Sequence, residues 1–369
     1  MIIKTNIFKT FLSTKHTHHN QTSTQQRQKL KGEEFLKKLL TAFQLLARRA
    51  SRRAAECTNE YMSSETRAQQ RQKLKGEEYL KFLGYASGIA AGNQGCADGP
   101  SALKRDLEVM ELPSSPSSIK WNILSPQLSL KNKYHIVSDL SERLAYETKS
   151  CVVAHEKFCV IGGDHSSGIG TWSGAAAGLG SENALGLIWI DAHLDAHTPH
   201  TSPTGNIHGM PLAALLGYGE ASLTHVAHSK PKLLPENLCL LGIRSFEEGE
   251  EALLKALNVR IYYIEEIEKR GFQSVFSEAL AHVKKHTSKF GVSLDIDGLD
   301  PVYTPATGTP VSRGLHLNEV CAALKNLDQD PKFLGLEIAE YNPHEAGREE
   351  TAKSIAEILK SVFNTFKMP

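Results

Sequence analysis

The sequence predicts an α/β protein whose parallel sheet is covered by helices on both faces. Short apolar runs alternate along the chain with longer stretches in which apolar residues recur at helical spacing. This alternation is typical of parallel strands joined by helical crossovers. The 369 residues are 40% hydrophobic and 22% charged, which is the composition of a globular protein with a sizeable core.

The strands are predicted from short runs that are apolar at almost every position, as expected for strands buried on both faces. The predicted strands cover residues 80–83, 158–161, 187–190, 238–243, 260–264, 290–294 and 333–338. Longer amphipathic stretches between and after them predict helices. The predicted helices cover residues 138–156, 248–257, 272–286, 317–327 and about 349–366.

The first 70 residues are predicted to be a basic, poorly ordered extension, and residues 75–369 a single catalytic domain. Residues 1–55 carry twelve Lys or Arg and two acids, a net charge of +10, so the rest of the chain carries −9 of the total of +1. Residues 25–34 recur as residues 69–78, and two copies are too few for a solenoid. Residues 35–53 predict a basic amphipathic helix. One interpretation is a targeting or docking segment; we favour a partial duplication without a role.

Composition also excludes several kinds of protein. No run reaches the roughly 18 apolar residues of a membrane span, and the N-terminus lacks the apolar core of a secretory signal. The six cysteines form no C-x-x-C pair, which argues against a zinc knuckle or a disulfide framework. A nucleic-acid role would depend on the tail alone, because the body is acidic. We therefore expect a cytoplasmic protein with no nucleic-acid partner, and delivery to an organelle by the tail is the alternative.

Polar residues are concentrated directly after three of the predicted strands. Gly-Gly-Asp-His-Ser follows 158–161, Asp-Ala-His-Leu-Asp follows 187–190, and Asp-Ile-Asp-Gly-Leu-Asp-Pro follows 290–294. Acids at the ends of buried strands are costly to desolvate without a positive partner, so their convergence predicts a cation. Side chains alternate in extended segments, which places Asp191, His193 and Asp195 on one side, and likewise Asp295 and Asp297.

Together with His165, these residues supply two imidazoles and four carboxylates. Such mixed nitrogen and oxygen donors suit divalent ions, Mn²⁺ first, and lack the thiolates of structural zinc. Six ligands are too many for one ion, so we predict two ions roughly 3.5 to 4 Å apart that share bridging carboxylates. The predicted metal ligands are His165, Asp191, His193, Asp195, Asp295 and Asp297.

The three motifs resemble the signatures of the ureohydrolase family, which includes arginase and agmatinase, in order and in spacing. The resemblance extends from about residue 80 to the C-terminus. It implies a three-layer αβα fold with a mostly parallel central sheet, two Mn²⁺ per chain and a homo-oligomer, either a trimer or a hexamer. It implies that one ion is held by His165 and Asp195, the other by His193 and Asp297, and both by bridging Asp191 and Asp295.

The resemblance implies hydrolysis of a guanidino group through a hydroxide that bridges the two metals. A guanidinium is a poor electrophile, so attack by neutral water is slow. Bound metal ions accelerate the attack because they lower the pKa of bound water and orient it. His208 occupies the place of the proton-shuttling histidine of the family. Glu340 matches the carboxylate that pairs with the guanidinium, and Thr309 is expected to shape the same pocket. Asp195 is predicted to be catalytic as well as a metal ligand.

The far end of the predicted pocket resembles that of arginase more than that of agmatinase. Ser202, Thr204 and Asn206 lie in a loop like the one that binds the substrate α-carboxylate, and the segment with Glu247 and Glu250 resembles the one that receives the α-amino group. The sequence departs from the arginase pattern at three positions. His197 stands in place of an Asn that binds the carboxylate, Thr204 in place of a Ser, and Glu247 in place of an Asp.

The predicted substrate is therefore the small molecule L-arginine, which is cleaved to urea and L-ornithine. Agmatine or another guanidino compound is the alternative substrate. A deacetylase or a formimidoylglutamate hydrolase is disfavoured by Glu340 and by the hydroxyl-rich loop. A catalytically inactive, metal-binding regulatory protein is the alternative from another class, although such a protein would normally have a broken ligand set.

Overall fold

A computed structural model describes residues 80–110, 119–129, 132–180 and 185–363. The predictions for the N-terminal extension, including its repeat and its helix, lie outside these residues. Within them the strands are β1 (Leu80–Tyr85), β2 (Ile119–Leu124), β3 (Phe158–Gly162), β4 (Leu185–Ile190), β5 (Leu238–Ile243), β6 (Arg260–Tyr263), β7 (Lys289–Asp295) and β8 (Phe333–Ala339). They form one sheet in the order β2-β1-β3-β8-β7-β4-β5-β6. Every neighbouring pair is parallel.

The same described residues contain ten α-helices, most of which follow a strand and lead to the next. They are α1 (Gly99–Val109), α2 (Lys133–Val153), α3 (Ser167–Leu179), α4 (Pro211–Leu215), α5 (Ala221–Thr224), α6 (Glu248–Ala256), α7 (Ile264–Arg270), α8 (Phe272–Lys284), α9 (Leu317–Ala323) and α10 (Arg348–Val362). None of the described helices is long and apolar enough to cross a membrane.

Alternate residues of the central strands enter two different apolar cores. Cys159 and Ile161 of β3 pack with residues of α1, α8 and α10, whereas Phe158 and Val160 pack with residues of α2 and α3. Each fully buried Leu, Ile or Phe side chain in these cores stabilises the fold by about 1.5–3 kcal/mol. Two cores separated by one sheet make three layers, so the predicted αβα fold is confirmed.

All seven predicted strands are present, and their ends differ from the prediction by at most two residues. Six elements were not predicted, namely β2, α1, α3, α4, α5 and α7. The prediction extended the strand at 260–264 into Ile264, where α7 begins. Helix α2 begins five residues before its predicted start, because Asn132 caps it by accepting a hydrogen bond from the Tyr134 N–H. Strand β2 lies at the edge of the sheet, where its mixed sequence Ile-Lys-Trp-Asn-Ile-Leu does not produce an apolar run.

Candidate active site

The candidate site lies where the carboxyl ends of four neighbouring strands meet. Strands β3, β8, β7 and β4 are consecutive in the sheet, and parallel strands place their carboxyl ends at one edge. His165 follows β3, Asp191 follows β4, Asp295 ends β7 and Glu340 follows β8. The exit from β3 requires Gly163, because a Cβ atom there would lie 2.0 Å from the Ser87 carbonyl oxygen.

Three carboxylate oxygens surround one nitrogen of His165. Its Nδ1 atom lies 3.2 Å from Asp191 Oδ2, 3.1 Å from Asp195 Oδ2 and 3.0 Å from Asp295 Oδ2. This nitrogen is buried and has no hydrogen bond of good geometry. Burial of the ring disfavours protonation, but the three carboxylates outweigh it and hold the pKa of His165 well above its ordinary value. Positive charge is therefore favoured at the point where these atoms meet.

A second group of ligand atoms surrounds His193 and shares Asp191 with the first. His193 Nδ1 lies 3.2 Å from Asp297 Oδ2 and 3.5 Å from Asp191 Oδ1. Asp191 thus directs one oxygen to each imidazole. Its orientation is fixed by the Trp189 indole, which donates to Oδ2 at 2.9 Å, and by the His193 N–H, which donates to Oδ1 at 2.7 Å.

The carboxylates of this cluster outnumber its imidazoles and repel one another. Burial, with Asp297 and Asp191 close by, raises the pKa of Asp295 well above its ordinary value. Burial and Asp191 raise the pKa of Asp195 to about 6. Asp191 is the exception, because the two imidazoles outweigh its burial and lower its pKa. An orphaned buried imidazole nitrogen, oxygen and nitrogen donors and excess negative charge together fit a site for divalent cations.

All six predicted ligands belong to these two groups. Asp295 joins the His165 group through Oδ2, and its Oδ1 accepts the Asp297 N–H at 2.9 Å. Thr309 also reaches the cluster, because its hydroxyl donates to Asp297 Oδ2 at 2.9 Å.

Two acidic residues of the site have left-handed backbone conformations. The φ angle is +48° at Asp195 and +69° at Glu340, and such a conformation costs roughly 1–2 kcal/mol in a residue other than glycine. The Glu340 N–H donates to the Gly163 carbonyl at 2.8 Å, which holds this conformation in place. Strained residues of this kind are found at functional sites.

His208 and Glu340 form a pair beside the cluster of histidines and aspartates. His208 Nδ1 lies 3.0 Å from Glu340 Oε1, and the same oxygen accepts the His165 N–H at 2.8 Å. Burial lowers the pKa of His208, but Glu340 outweighs it and raises that pKa to about 9. The pair therefore offers an imidazolium and a carboxylate within reach of the cluster.

The predicted far-end residues form a second pair of a histidine and a carboxylate. His197 Nε2 lies 3.0 Å from Glu247 Oε2 and 3.6 Å from Glu250 Oε1. The hydrogen bond from His197 lowers the pKa of Glu247. Glu250 is buried, which raises its pKa to about 8, and it accepts the backbone N–H groups of Ala196 and Glu247.

The hydroxyl-rich loop binds its own backbone. Ser202 Oγ accepts the Gly205 N–H at 2.9 Å, and Thr204 Oγ1 accepts the Asn206 N–H at 3.2 Å. In both contacts the hydroxyl oxygen is the acceptor, so its proton is not used there. These bonds hold the loop in a conformation in which the hydroxyl protons of Ser202 and Thr204 can be donated to an anion.

Sequence reasoning missed several residues that support the cluster from behind. The Trp189 ring stacks on the His165 ring with centroids 4.1 Å apart. Arg244 donates to the carbonyl groups of Asp297 and Leu299, which tie the loop after β7. Ser293 lies 3.0 Å from His165 Nε2. Its position two residues before Asp295, on the same side of β7, is the signal that could have identified it.

The fold and the site define a class of protein: a three-layer αβα protein with a histidine and aspartate cluster at the carboxyl edge of its parallel sheet. The family model of the arginase family matches residues 80–364. The chain therefore belongs to the arginase family, and it is an arginase-like ureohydrolase, as the motifs predict.

The most similar proteins include bacterial arginases. The arginase of Bacillus caldovelox is 40% identical over 227 residues, which are 62% of this chain and 75% of that protein. The crystal structure of arginase from Bacillus subtilis superposes with a TM-score of 0.69 at 33% identity, covering 77% of this chain and 98% of that one. The formimidoylglutamase from Bacillus subtilis superposes with a TM-score of 0.64 at 21% identity, covering 79% of this chain and 88% of that one. This last likeness shows a common fold alone.

Proposed function

We propose that the protein hydrolyses L-arginine to urea and L-ornithine, with two Mn²⁺ bound per chain. The observation that carries this proposal is the pair His197 and Glu247, which offers an imidazole donor to a substrate carboxylate and a carboxylate to a substrate ammonium. The identity to bacterial arginases supports the same reaction.

The six clustered side chains are the residues that would hold the cations: His165, Asp191, His193, Asp195, Asp295 and Asp297. When bound, divalent cations supply Lewis acidity that lowers the pKa of water and offsets the charge of the carboxylates. Mn²⁺ is proposed because the donors combine imidazole with carboxylate and include no thiolate.

Glu340 and His208 are proposed to act on the guanidino group. Glu340 Oε1 already accepts from His165 and His208, so Oε2 is the oxygen that would receive a guanidinium N–H. His208 contacts Glu340 through Nδ1, which leaves Nε2–H as the proton that the imidazolium can donate to the leaving amine. Glu340 thus orients the substrate and holds the proton donor at the same time.

The far end of the site would bind the amino-acid part of the substrate by exchanging partners. L-Arginine carries an α-carboxylate and an α-ammonium, so it replaces the single His197–Glu247 contact with two contacts, His197 to the carboxylate and Glu247 to the ammonium. Agmatine lacks the carboxylate and leaves His197 and the loop hydroxyls without an anion. His197 is only 7% exposed, whereas the Glu247 side chain is 59% exposed. The carboxylate end should therefore carry most of the discrimination, because unpaired groups cost more when buried.

The proposed substrate is tested by a panel of guanidino compounds. The Mn²⁺-loaded protein is given L-arginine, agmatine or 4-guanidinobutyrate, and urea is measured; N-formimidoyl-L-glutamate is followed through formamide. Unsatisfied polar groups cost about 1–3 kcal/mol each, so we expect L-arginine to exceed agmatine by at least about a hundredfold in kcat/KM. Preference for agmatine, or formamide as the major product, would contradict the proposal.

The proposed metal content is tested by elemental analysis of active protein. We expect two Mn²⁺ per chain, and fewer after Asp191→Asn. The Asp191 carboxylate directs one oxygen to each histidine group, whereas the amide is neutral and has a single oxygen. Glu319→Gln, at an exposed acid on α9, is the control and should keep both. Fully active protein with a single tightly bound ion would contradict the two-metal assignment.

A further inference from the structure

A buried carboxylate, Glu337, lies behind the His165 group and is not a predicted ligand. Glu337 is 0% exposed, and each of its oxygens accepts two hydrogen bonds from neutral donors. Oε1 accepts from Ser167 Oγ at 2.7 Å and Thr171 Oγ1 at 2.8 Å. Oε2 accepts from Trp172 Nε1 at 2.8 Å and Ser293 Oγ at 2.7 Å. The first three donors all come from α3, and the fourth comes from β7.

The hydrogen bond from Ser293 to Glu337 determines the direction of the hydrogen bond between Ser293 and His165. Ser293 and Glu337 face each other in the register of β7 and β8, and the Ser293 hydroxyl gives its only proton to Glu337. Its oxygen can therefore only accept from His165 Nε2, which lies 3.0 Å away. The proton of the neutral imidazole then resides on Nε2, and the Nδ1 lone pair faces the three carboxylates.

We propose that Glu337 is a positioning residue that fixes the tautomer of His165 through Ser293, so that Nδ1 is available to a divalent cation. A histidine ligand needs an unprotonated nitrogen, and the partner of its other nitrogen decides which one that is. The inference rests on the proposed cation site and makes no use of the substrate. The His193 group provides an internal reference, because its Nδ1 contacts Asp297 and the other oxygen of Asp191, and the Ser293 hydroxyl contacts His165 instead.

The structure also predicts which substitution of Glu337 is tolerated. The indole N–H of Trp172 can only donate, so in Glu337→Gln the amide carbonyl must face Trp172 and Ser293. Ser293 then still donates to position 337 and accepts from His165. Glu337→Met removes the acceptor instead, and the Ser293 proton is free to turn to His165 Nε2 and favour the opposite tautomer.

The test measures the affinity of both cation sites for Mn²⁺ alone, in the full-length chain. Free Mn²⁺ is counted by electron paramagnetic resonance during competition with a chelator, and circular dichroism verifies folding. Loss of an outer-shell partner typically lowers metal affinity about 10- to 100-fold. We expect this loss at one of the two sites in Glu337→Met, with the other site within about threefold of wild type, and near wild-type affinity at both in Glu337→Gln.

Thr171→Val is the matched control, because it removes a donor to the same carboxylate without touching Ser293. It should leave both affinities unchanged. Equal losses in Glu337→Met and Thr171→Val, or an equal loss in Glu337→Gln, would show that Glu337 only ties α3 to the sheet and would overturn the inference.

Should Glu337→Met fail to fold, Ser293→Ala breaks the same connection one residue closer to His165. Ser293→Ala must then show the loss of Mn²⁺ affinity at one of the two sites, and wild-type affinity at both sites would overturn the inference. Failure of the proposed function is seen separately, as protein that binds Mn²⁺ but releases no urea from L-arginine.

Discussion

Four histidines of the site contact carboxylates, and three of them, His165, His208 and His197, differ in their surroundings and therefore in the chemistry they suit. His165 is 1% exposed and its Nδ1 meets three acids, so it suits a ligand that does not exchange protons with water. His208 is 20% exposed at its side chain and contacts one acid, which suits a proton donor. His197 contacts an exposed acid, which a charged substrate can displace. Exposure and the kind of acidic partner thus favour a different proposed role for each histidine, as ligand, proton donor or substrate contact.

The proposed proton-donating role of His208 predicts a fall in turnover at alkaline pH. Glu340 outweighs the effect of burial and raises the pKa of His208 from 6.5 to about 9, and cations bound beside Asp195 would offset part of that rise. Deprotonation of His208 removes the proton donor, so kcat for L-arginine should fall as pH rises through the pKa of His208, which we expect between about 6.5 and about 9. The measurement is kcat against pH for the Mn²⁺-loaded enzyme.

His208→Asn should lower kcat by about 100- to 10,000-fold and remove this alkaline limb. His282→Asn, at an exposed histidine of α8, should keep both the rate and the pH profile. A His208→Asn enzyme that retains the wild-type alkaline limb would assign that limb to another group.

The proposed exchange of partners at His197 predicts a change of specificity rather than of chemistry. His197→Ala removes a hydrogen-bond donor to the substrate carboxylate, and hydrogen bonds to charged groups contribute about 1.5–3 kcal/mol. We expect kcat/KM to fall at least about tenfold for L-arginine and to change less than about threefold for agmatine. His200→Asn, in the same loop and exposed, is the control. An equal fall for both substrates would place His197 outside the carboxylate contact.

The clustered histidines and aspartates were predictable from the sequence because each lies within a few residues of the end of an apolar run. Glu337 was not, because it sits inside the last central strand, where a single acid between apolar residues has no distinguishing pattern. Its partners Thr171 and Trp172 reach it only because α3 packs on β8. Contacts that depend on how two elements pack are invisible to motif spacing.

At the scale of elements, helix α3 packs closely against α2 through its glycines. Its sequence is rich in glycine and its apolar residues surround the helix, so neither helical propensity nor periodicity predicted it. Glycines at 170, 174 and 178 face α2. A Cβ atom at Gly174 would lie 2.0 Å from Thr148 Oγ1 and 2.2 Å from the Ala145 carbonyl oxygen. Close packing, rather than propensity, therefore determines these residues.

This packing predicts the sign of a stability change. In an exposed helix Gly→Ala stabilises by about 1 kcal/mol, but overpacking typically costs about 1–3 kcal/mol. Gly174→Ala should therefore lower the free energy of unfolding, measured by denaturant titration. Gly178→Ala should lower it less, because its closest contacts are side-chain carbons of Val152 near the helix end. A stabilised Gly174→Ala protein would show that α3 can move away from α2 at little cost.

At the scale of the whole molecule, alternation of strands and helices predicted a parallel sheet but not the order of its strands. The chain places β3, β8, β7 and β4 side by side, although β8 is the last strand in sequence. This order brings the segments after residues 162, 190, 295 and 339 to one edge. Sequence spacing does not predict that order, because each of the predicted strands is apolar enough to lie at the centre of the sheet.

The position of the site along the chain predicts that the N-terminal extension is dispensable for catalysis. Every candidate ligand and catalytic residue lies at or beyond His165, β1 begins at Leu80, and the match to the arginase family begins at residue 80. Deletion of residues 1–70 should leave kcat and KM for L-arginine and the Mn²⁺ content within about threefold of the full-length chain. A tenfold loss of rate corresponds to about 1.4 kcal/mol of transition-state stabilisation. A truncated protein that folds and binds Mn²⁺ but loses more than this would assign a role in catalysis to the extension and move the domain boundary towards the N-terminus.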